Sequence, residues 1–208
     1  MNKSLLVSLG AVCLLVAGCA TTYSAAEIEK MARDAVSRSF SEKGIAKKER
    51  INQDAINLAC SQAEHSGTPL SGDVVRKLEA AEAATIKYPA DGKFLGDWKT
   101  GERVAQSGAG STYSDKAGSP NGGNCYNCHQ ISKEEISHGT LGPSLYNYGK
   151  LRGNSDAVVK YTWGKIYNAK AFNACTNMPR FGQQGILTEA QMKDLMALLL
   201  DPNSPVNK

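Results

Sequence analysis

The residues best suited by type and spacing to carry out chemistry lie in the segment 125–129, which reads Cys-Tyr-Asn-Cys-His. Two thiols about one turn apart can add across the two vinyl groups of a porphyrin, and the adjacent histidine can bind the iron. A thioredoxin-type redox pair does not require that histidine, and a zinc site would require a second ligand pair. No second Cys-x-x-Cys or His-x-His pair is present. The segment therefore predicts one covalent haem c, attached through Cys125 and Cys128, with His129 as an axial iron ligand.

A second axial ligand must come from elsewhere in the chain, and Met178 has the most suitable setting. It precedes Pro179 in a segment rich in Asn, Thr and Gly, outside any apolar stripe. A thioether there can approach the iron from the face opposite His129, and proline limits how the segment bends. The other methionines, Met31, Met192 and Met196, lie in predicted helices and are interpreted as packing residues.

Two histidines remain as alternative axial ligands. His138 follows His129 closely and stands beside Gly139, while His65 precedes Ser66-Gly67 and is interpreted as a surface loop residue. Ligation by His129 and Met178 would fill all six iron positions and raise the reduction potential. Such a haem would transfer electrons and would not bind small molecules.

Cys60 and Cys175 are the thiols left over outside the N-terminal segment. In an exported protein, a leftover pair predicts a disulfide, which here would join the N-terminal helical region to the segment carrying Met178. The alternative is two unrelated cysteines, one of them reactive.

Helices must position these groups. Apolar residues recur at helical spacing between residues 25 and 87, and breaks at Gly44 and at 66–69 predict two or three helices, the last of them Val74 to Lys87. Further helices are predicted over Trp98 to Gln106 and near Asn154 to Tyr167.

The final helix has the clearest signal. Thr188 begins it, Gln191 is the capping-box partner, and its apolar stripe is predicted to consist of Ala190, Leu195, Leu198 and Leu199. We therefore predict an all-α, class I cytochrome c fold with an N-terminal helical extension: a targeting segment at 1–19, the extension at 20–92 and the cytochrome c domain at 93–208.

The N-terminus resembles a bacterial lipoprotein signal. Lys3 precedes an apolar run from Leu5 to Ala17, and Gly18-Cys19 follows. Lipidation of Cys19 would hold the protein at a membrane surface. The alternative is an ordinary secretory signal cleaved near Cys19 or Ala20. Both interpretations place the mature chain in the periplasm, and the apolar run is shorter than the roughly 20 residues of a transmembrane helix.

The composition argues against a non-globular protein and against a nucleic-acid-binding protein. The 208 residues are 41% hydrophobic and 21% charged, as in globular proteins, with a formal net charge of +4. The basic residues form no block and do not alternate with aromatic residues, so nothing indicates nucleic-acid binding.

Three stretches carry a more specific resemblance. Residues 123–130 (Gly-Asn-Cys-Tyr-Asn-Cys-His-Gln), 139–153 (Gly-Thr-Leu-Gly-Pro-Ser-Leu-Tyr-Asn-Tyr-Gly-Lys-Leu-Arg-Gly) and 177–182 (Asn-Met-Pro-Arg-Phe-Gly) resemble the SoxX family, the small cytochrome subunits of sulfur-oxidising SoxAX complexes. The resemblance covers roughly residues 94–200. The N-terminal helical region and the lipoprotein-like signal are not part of the core pattern.

The resemblance implies a partner and a reaction. SoxX pairs with SoxA, which carries the active-site haem and its cysteine ligand, and the complex is an L-cysteine S-thiosulfotransferase that couples thiosulfate to a cysteine of the carrier SoxYZ. The SoxX haem is the exit for electrons toward a downstream periplasmic cytochrome. Carried onto this chain, Cys125 and Cys128 bind haem, His129 and Met178 are axial ligands, and the chain alone is not catalytic.

Two alternatives belong to other functional classes. A free periplasmic electron shuttle would need no dedicated partner, and a haem enzyme or sensor would keep one iron position open. A purely structural lipoprotein would leave the 125–129 segment unexplained.

Overall fold

The computed structural model describes residues 22–208, which fall into two compact units that divide between Ser41 and Glu42. The targeting segment predicted at 1–19, with Cys19, lies outside the described residues. Of the helices described, none is long and apolar enough to cross a membrane.

The first unit contains helix α1 (Ala25–Ser39). Ser24 caps it, and Glu27 completes a capping box by accepting from the Ser24 backbone N–H at 2.8 Å. Within this described helix no residue is buried, and Met31 is 49% exposed. The interpretation of Met31 as a packing residue is therefore wrong within this unit, because no second described helix covers the apolar stripe of α1.

The second unit is helical and holds the core. Its α-helices are α2 (Ala55–Ser66), α3 (Gly72–Ala83), α4 (Trp98–Gln106), α5 (Tyr148–Arg152), α6 (Asp156–Tyr167) and α7 (Glu189–Leu200). Short 3-10 turns lie at Lys48–Ile51, Cys125–Asn127, Ala169–Ala171 and Pro205–Asn207. No β-strand occurs in residues 22–208, so the all-α part of the predicted fold is confirmed.

Helices α4 and α7 cross closely at the centre of this unit. A Cβ atom at Gly101 would lie 2.1 Å from the Asp194 carbonyl oxygen, so only glycine allows this approach. The Gly96 N–H donates to the Lys193 carbonyl at 2.9 Å beside the crossing. The crossing buries one face of α4, including Val104, against α7.

Helix α7 begins where the sequence predicted, but its buried face differs from the predicted apolar stripe. Thr188 and Gln191 form the capping box, as predicted. Ala190, however, is exposed, whereas Met192 and Met196 are 3% and 0% exposed. The stripe facing the core therefore begins at Met192, two residues later than predicted, and Met192 and Met196 are packing residues.

Helix α3 ends at Ala83, four residues before the predicted end at Lys87. The residues beyond it leave the helix to contact α6: the Trp163 Nε1–H donates to the Lys87 carbonyl at 2.8 Å, and Ile86 packs against the core. Residues on both sides of position 92 thus pack together in one unit. The boundary predicted between residues 92 and 93 stays a prediction.

Cys60 of α2 and Cys175 form a disulfide that joins residues 115 positions apart. Closing so long a segment reduces the conformational freedom of the unfolded chain. The bridge connects α2 to the irregular segment that precedes Met178.

We expect the Cys60→Ser/Cys175→Ser variant to lose about 2–5 kcal/mol of unfolding free energy, because the unfolded chain regains that freedom. Denaturant titration of the haem-bound protein measures the loss. Wild-type protein titrated with a thiol reductant serves as the matched control and should reproduce the midpoint of the variant. Equal midpoints for oxidised wild type and variant would contradict the prediction.

Candidate functional site

The Cys-Tyr-Asn-Cys-His segment forms a tight 3-10 turn at Cys125–Asn127. The backbone N–H groups of Cys128 and His129 donate to the Cys125 carbonyl at 3.1 and 2.9 Å. This geometry places the two thiols about one turn apart on the same element, with the histidine directly after them. Both cysteines are free thiols, as the attachment of a haem requires.

The His129 ring is oriented by the segment that follows. Its Nδ1 lies 2.7 Å from the Pro143 carbonyl oxygen, which can only accept, so Nδ1 carries the proton. The Nε2 lone pair is then available to a metal, the arrangement usual for metal-binding histidines. A Cβ at Gly142 would come within 2.1 Å of the ring, so this glycine lets the backbone pass against His129.

The Cys125 thiol has little thiolate character, because burial raises its pKa to about 12. Redox exchange and zinc binding both act through the thiolate. Within residues 22–208, moreover, no group of three or more His, Cys, Asp or Glu residues is placed to hold a metal ion. A bound metal ion would itself lower the pKa of the thiol, so the indication of covalent haem attachment comes from the Cys-x-x-Cys-His spacing.

Met178 lies in an irregular segment between the Ala169–Ala171 turn and α7. It is half-buried and packs against the core cluster that Cys125 also borders. Its backbone N–H donates to Thr176 Oγ1 at 3.2 Å. The thioether and the haem-attachment turn thus border the same apolar region.

The alternative histidine ligands have different settings. His138 is half-buried, and its Nδ1 lies 3.3 Å from the Gly139 carbonyl oxygen. His65 is exposed in the last turn of α2, a helical position where a surface loop was predicted.

A half-buried carboxyl group lies next to the haem-attachment turn. Glu102 of α4 accepts a hydrogen bond from the Tyr126 hydroxyl at 2.8 Å, and Ser132 lies 3.0 Å from the same hydroxyl. Glu102 Oε2 is buried and has no hydrogen-bond partner among the described residues. Desolvation raises the pKa of Glu102, and the nearby charges of Glu134 and Glu135 add to the effect.

We expect Glu102→Gln to change how stability depends on pH. Because folding raises the pKa of Glu102 above its ordinary value of 4.5, its contribution to stability is full below about pH 4.5 and is lost as pH rises through the folded pKa. The variant should therefore gain unfolding free energy over wild type as pH rises through this window. Denaturant titrations between acid and neutral pH measure the difference.

Tyr126→Phe is the matched control, since it removes the hydroxyl and keeps the carboxyl. That control should retain the decline in stability with rising pH. Parallel pH profiles for Glu102→Gln and wild type would contradict the prediction.

Two buried cations near Met178 were missed by sequence reasoning. Lys170 and Arg180 are only 6% and 4% exposed. Arg180 lies within the Met-Pro-Arg-Phe-Gly stretch, so its position two residues after Met178 could have identified it as a functional candidate. No pattern in the sequence marks Lys170, whose burial depends on tertiary contacts.

The helical fold, the paired free thiols and the proton-fixed histidine together define the class of c-type haem proteins. Residues 109–201 match the family model of cytochrome c. The chain is also 40% identical over 158 residues to a protein of Aquifex aeolicus (strain VF5) named "Uncharacterized lipoprotein", a match that covers 75% of this chain and 73% of that protein. Residues 109–201 are therefore a cytochrome c domain, which carries covalently attached haem c. The chain is a haem electron-transfer protein.

Proposed function

We propose that Cys125 and Cys128 would attach the haem covalently and that His129 and Met178 would bind its iron. The haem, when bound, supplies reversible uptake of one electron. The chain supplies the rest. The Pro143 carbonyl oxygen accepts the Nδ1 proton of His129 at 2.7 Å. This hydrogen bond orients the ring and leaves the Nε2 lone pair available to bind the iron. A thioether at the sixth position leaves no open site for oxygen or substrate, and the protein then transfers electrons only.

We further propose that this protein is the electron-accepting subunit of a periplasmic SoxAX-type complex. There, a carrier-protein thiol and thiosulfate become an S-thiosulfonate with release of one proton and two electrons. The S–H bond breaks, an S–S bond forms, and the two electrons leave one at a time through this chain toward a downstream cytochrome. The thiol chemistry belongs to the SoxA-like partner and the SoxYZ carrier.

The observation that carries this proposal is the Met-Pro-Arg-Phe-Gly stretch at 178–182, together with the match at 139–153. These stretches lie within the cytochrome c match, and they are far more specific than the Cys-x-x-Cys-His motif. The Aquifex relative is named a lipoprotein, which supports the lipoprotein-type signal and attachment of the chain at a membrane surface through Cys19.

The test is affinity isolation of the tagged holoprotein from its native organism, followed by mass identification of bound chains. We expect a SoxA-like haem protein to co-purify. The isolated complex, given thiosulfate and a carrier with a free cysteine, should reduce this haem, and omission of either substrate should prevent the reduction.

A monomer at all concentrations, whose haem is reduced only by other diffusible cytochromes, would overturn the SoxAX proposal and favour a free electron shuttle. Rapid carbon monoxide binding by the reduced native protein would instead favour a haem enzyme or sensor with an open iron position. Mass analysis of the mature N-terminus in the same sample tests the lipidation of Cys19.

A further inference from the structure

Arg180 lies two residues after Met178 and connects it to the N-terminal helical region. Its guanidinium forms an ion pair with Asp54, the N-cap residue of α2, and lies 3.5 Å from Glu82 Oε2 on α3. The Arg180 side chain is 5% exposed and that of Glu82 is 15% exposed. Because the Arg180 guanidinium contacts carboxylates from two different helices, it restricts the position of the backbone at residue 180. A single exposed ion pair would restrict that backbone less.

Lys170 holds the same segment from within. Its buried Nζ donates to the carbonyl oxygens of Ala174 at 3.0 Å and Thr176 at 3.3 Å. Desolvation lowers the pKa of this ammonium group, while the charges of Asp54 and Glu82 favour its protonated form. Because this segment is neither helix nor strand, its carbonyl groups lack the regular backbone partners of those elements. Lys170 supplies hydrogen bonds to two of these carbonyl groups.

Helix α3 and the disulfide complete the set of contacts. The Ala174 N–H donates to Glu79 Oε1 at 3.1 Å, and Cys175 is bonded to Cys60. The Asn168 side-chain amide donates to Glu82 Oε2 at 2.7 Å. Met178 thus lies between two anchored positions, Cys175 before it and Arg180 after it, and both anchors lead to residues 54–82.

We propose that Arg180, held by Asp54 and Glu82, is the positioning residue for the Met178 thioether. Positioning matters because a segment without regular structure must give up conformational freedom to keep one side chain at the iron. A segment already ordered by α2 and α3 has given up that freedom on folding, so the thioether stays bound. The part of the N-terminal helical region that contains α2 and α3 then has a defined role, which is to hold the sixth ligand. This proposal rests on the ligation by Met178 proposed above.

The test uses two substitutions that remove charge and keep shape. Asp54→Asn retains an N-cap oxygen for the Asn57 N–H, and Glu82→Gln retains an acceptor for Asn168. Carbon monoxide competes with Met178 for the reduced iron, so its apparent affinity rises as the bound methionine is destabilised. We expect the Asp54→Asn/Glu82→Gln holoprotein to bind carbon monoxide on the order of tenfold more tightly than wild type. The weak long-wavelength absorbance band of methionine-bound ferric haem should lose intensity.

The matched control is Asp73→Asn/Asp156→Asn, which removes two exposed carboxylates from ion pairs with Arg76 and Lys160. It changes the net charge equally, and Asp73 lies on the same helix as Glu82. This control should leave carbon monoxide affinity and the absorbance band as in wild type. A shift in the control equal to that in the test variant would assign the effect to net charge and overturn the proposal.

A merely structural role gives a different pattern. If the test variant lost unfolding free energy but kept the wild-type band and carbon monoxide affinity in its folded state, Arg180 would not position Met178. Arg180→Lys is a second test in case the double variant fails to fold. Lysine keeps the positive charge, but its single ammonium group cannot contact both carboxylates as the planar guanidinium does. This variant should show the same spectroscopic change at smaller amplitude, and wild-type behaviour would overturn the proposal.

Met178→Leu separates this proposal from the one on which it rests. Loss of the long-wavelength band in Met178→Leu, with no change in the Arg180, Asp54 and Glu82 variants, would remove the positioning role alone. Retention of the band in Met178→Leu would remove the ligation itself.

Discussion

The Cys125→Ala/Cys128→Ala variant is expected to accumulate without covalent haem, even in a host equipped to attach it. Both thioether bonds are lost, and the turn at Cys125–Asn127 keeps only the His129 side chain to hold the group. Because a haem forms much of the core of a small cytochrome domain, we also expect the variant to lose cooperative unfolding.

The measurement is extraction of haem into acidified organic solvent after denaturation, combined with the mass of the polypeptide. Wild type should keep its pigment and the added haem mass, and the variant should lose both. Asn127→Ala is the matched control, since its exposed side chain lies between the two cysteines and takes no part in attachment. Full retention of covalent haem by the double variant would contradict the haem site proposed here.

The Met178→Ala variant is expected to keep its haem and to lose its sixth ligand. Water or an added ligand would then occupy the iron in place of the thioether, and the reduction potential should fall by on the order of 0.1 V, within the range that axial ligands control. The reduced variant should bind carbon monoxide rapidly, where wild type should not. A redox titration and carbon monoxide mixing measure these changes.

Two further variants identify the ligand by comparison. Met192→Leu replaces a methionine that is 3% exposed in α7 and should leave the potential near that of wild type. His138→Ala tests the alternative ligand and should do the same. An unchanged potential in Met178→Ala, with a fall in His138→Ala, would assign the sixth position to His138.

These predictions together describe a haem site assembled from separate parts of the chain. The attachment turn and the histidine come from one short segment. The thioether proposed as the sixth ligand comes from a distant irregular segment, and α2 and α3 hold that segment through Cys60, Asp54 and Glu82. Electron transfer benefits from such rigidity, since the iron then keeps the same ligands in both oxidation states.

The features that the sequence predicted are those with local causes. The segment 125–129 marks the haem because its chemistry needs only neighbouring residues. The start of α7 follows from Thr188 and Gln191, which satisfy each other's backbone groups across three residues. Helix α4 was predicted at its observed bounds because Val104 and its neighbours repeat at helical spacing.

Other features were decided by tertiary contacts. Helix α3 stops at Ala83 because the backbone beyond it is used by Trp163, and no local pattern encodes that partner. The burial of Lys170 and the half-burial of Glu102 depend on the folded chain around them, and a charged residue gives no sign of burial by its own type. The sequence therefore predicted which groups bind the haem, whereas the contacts of Arg180 with Asp54 and Glu82 are visible only in the tertiary structure. Residues adjacent in the chain interact whatever the fold, whereas Arg180 meets Asp54 only once the chain between them has folded.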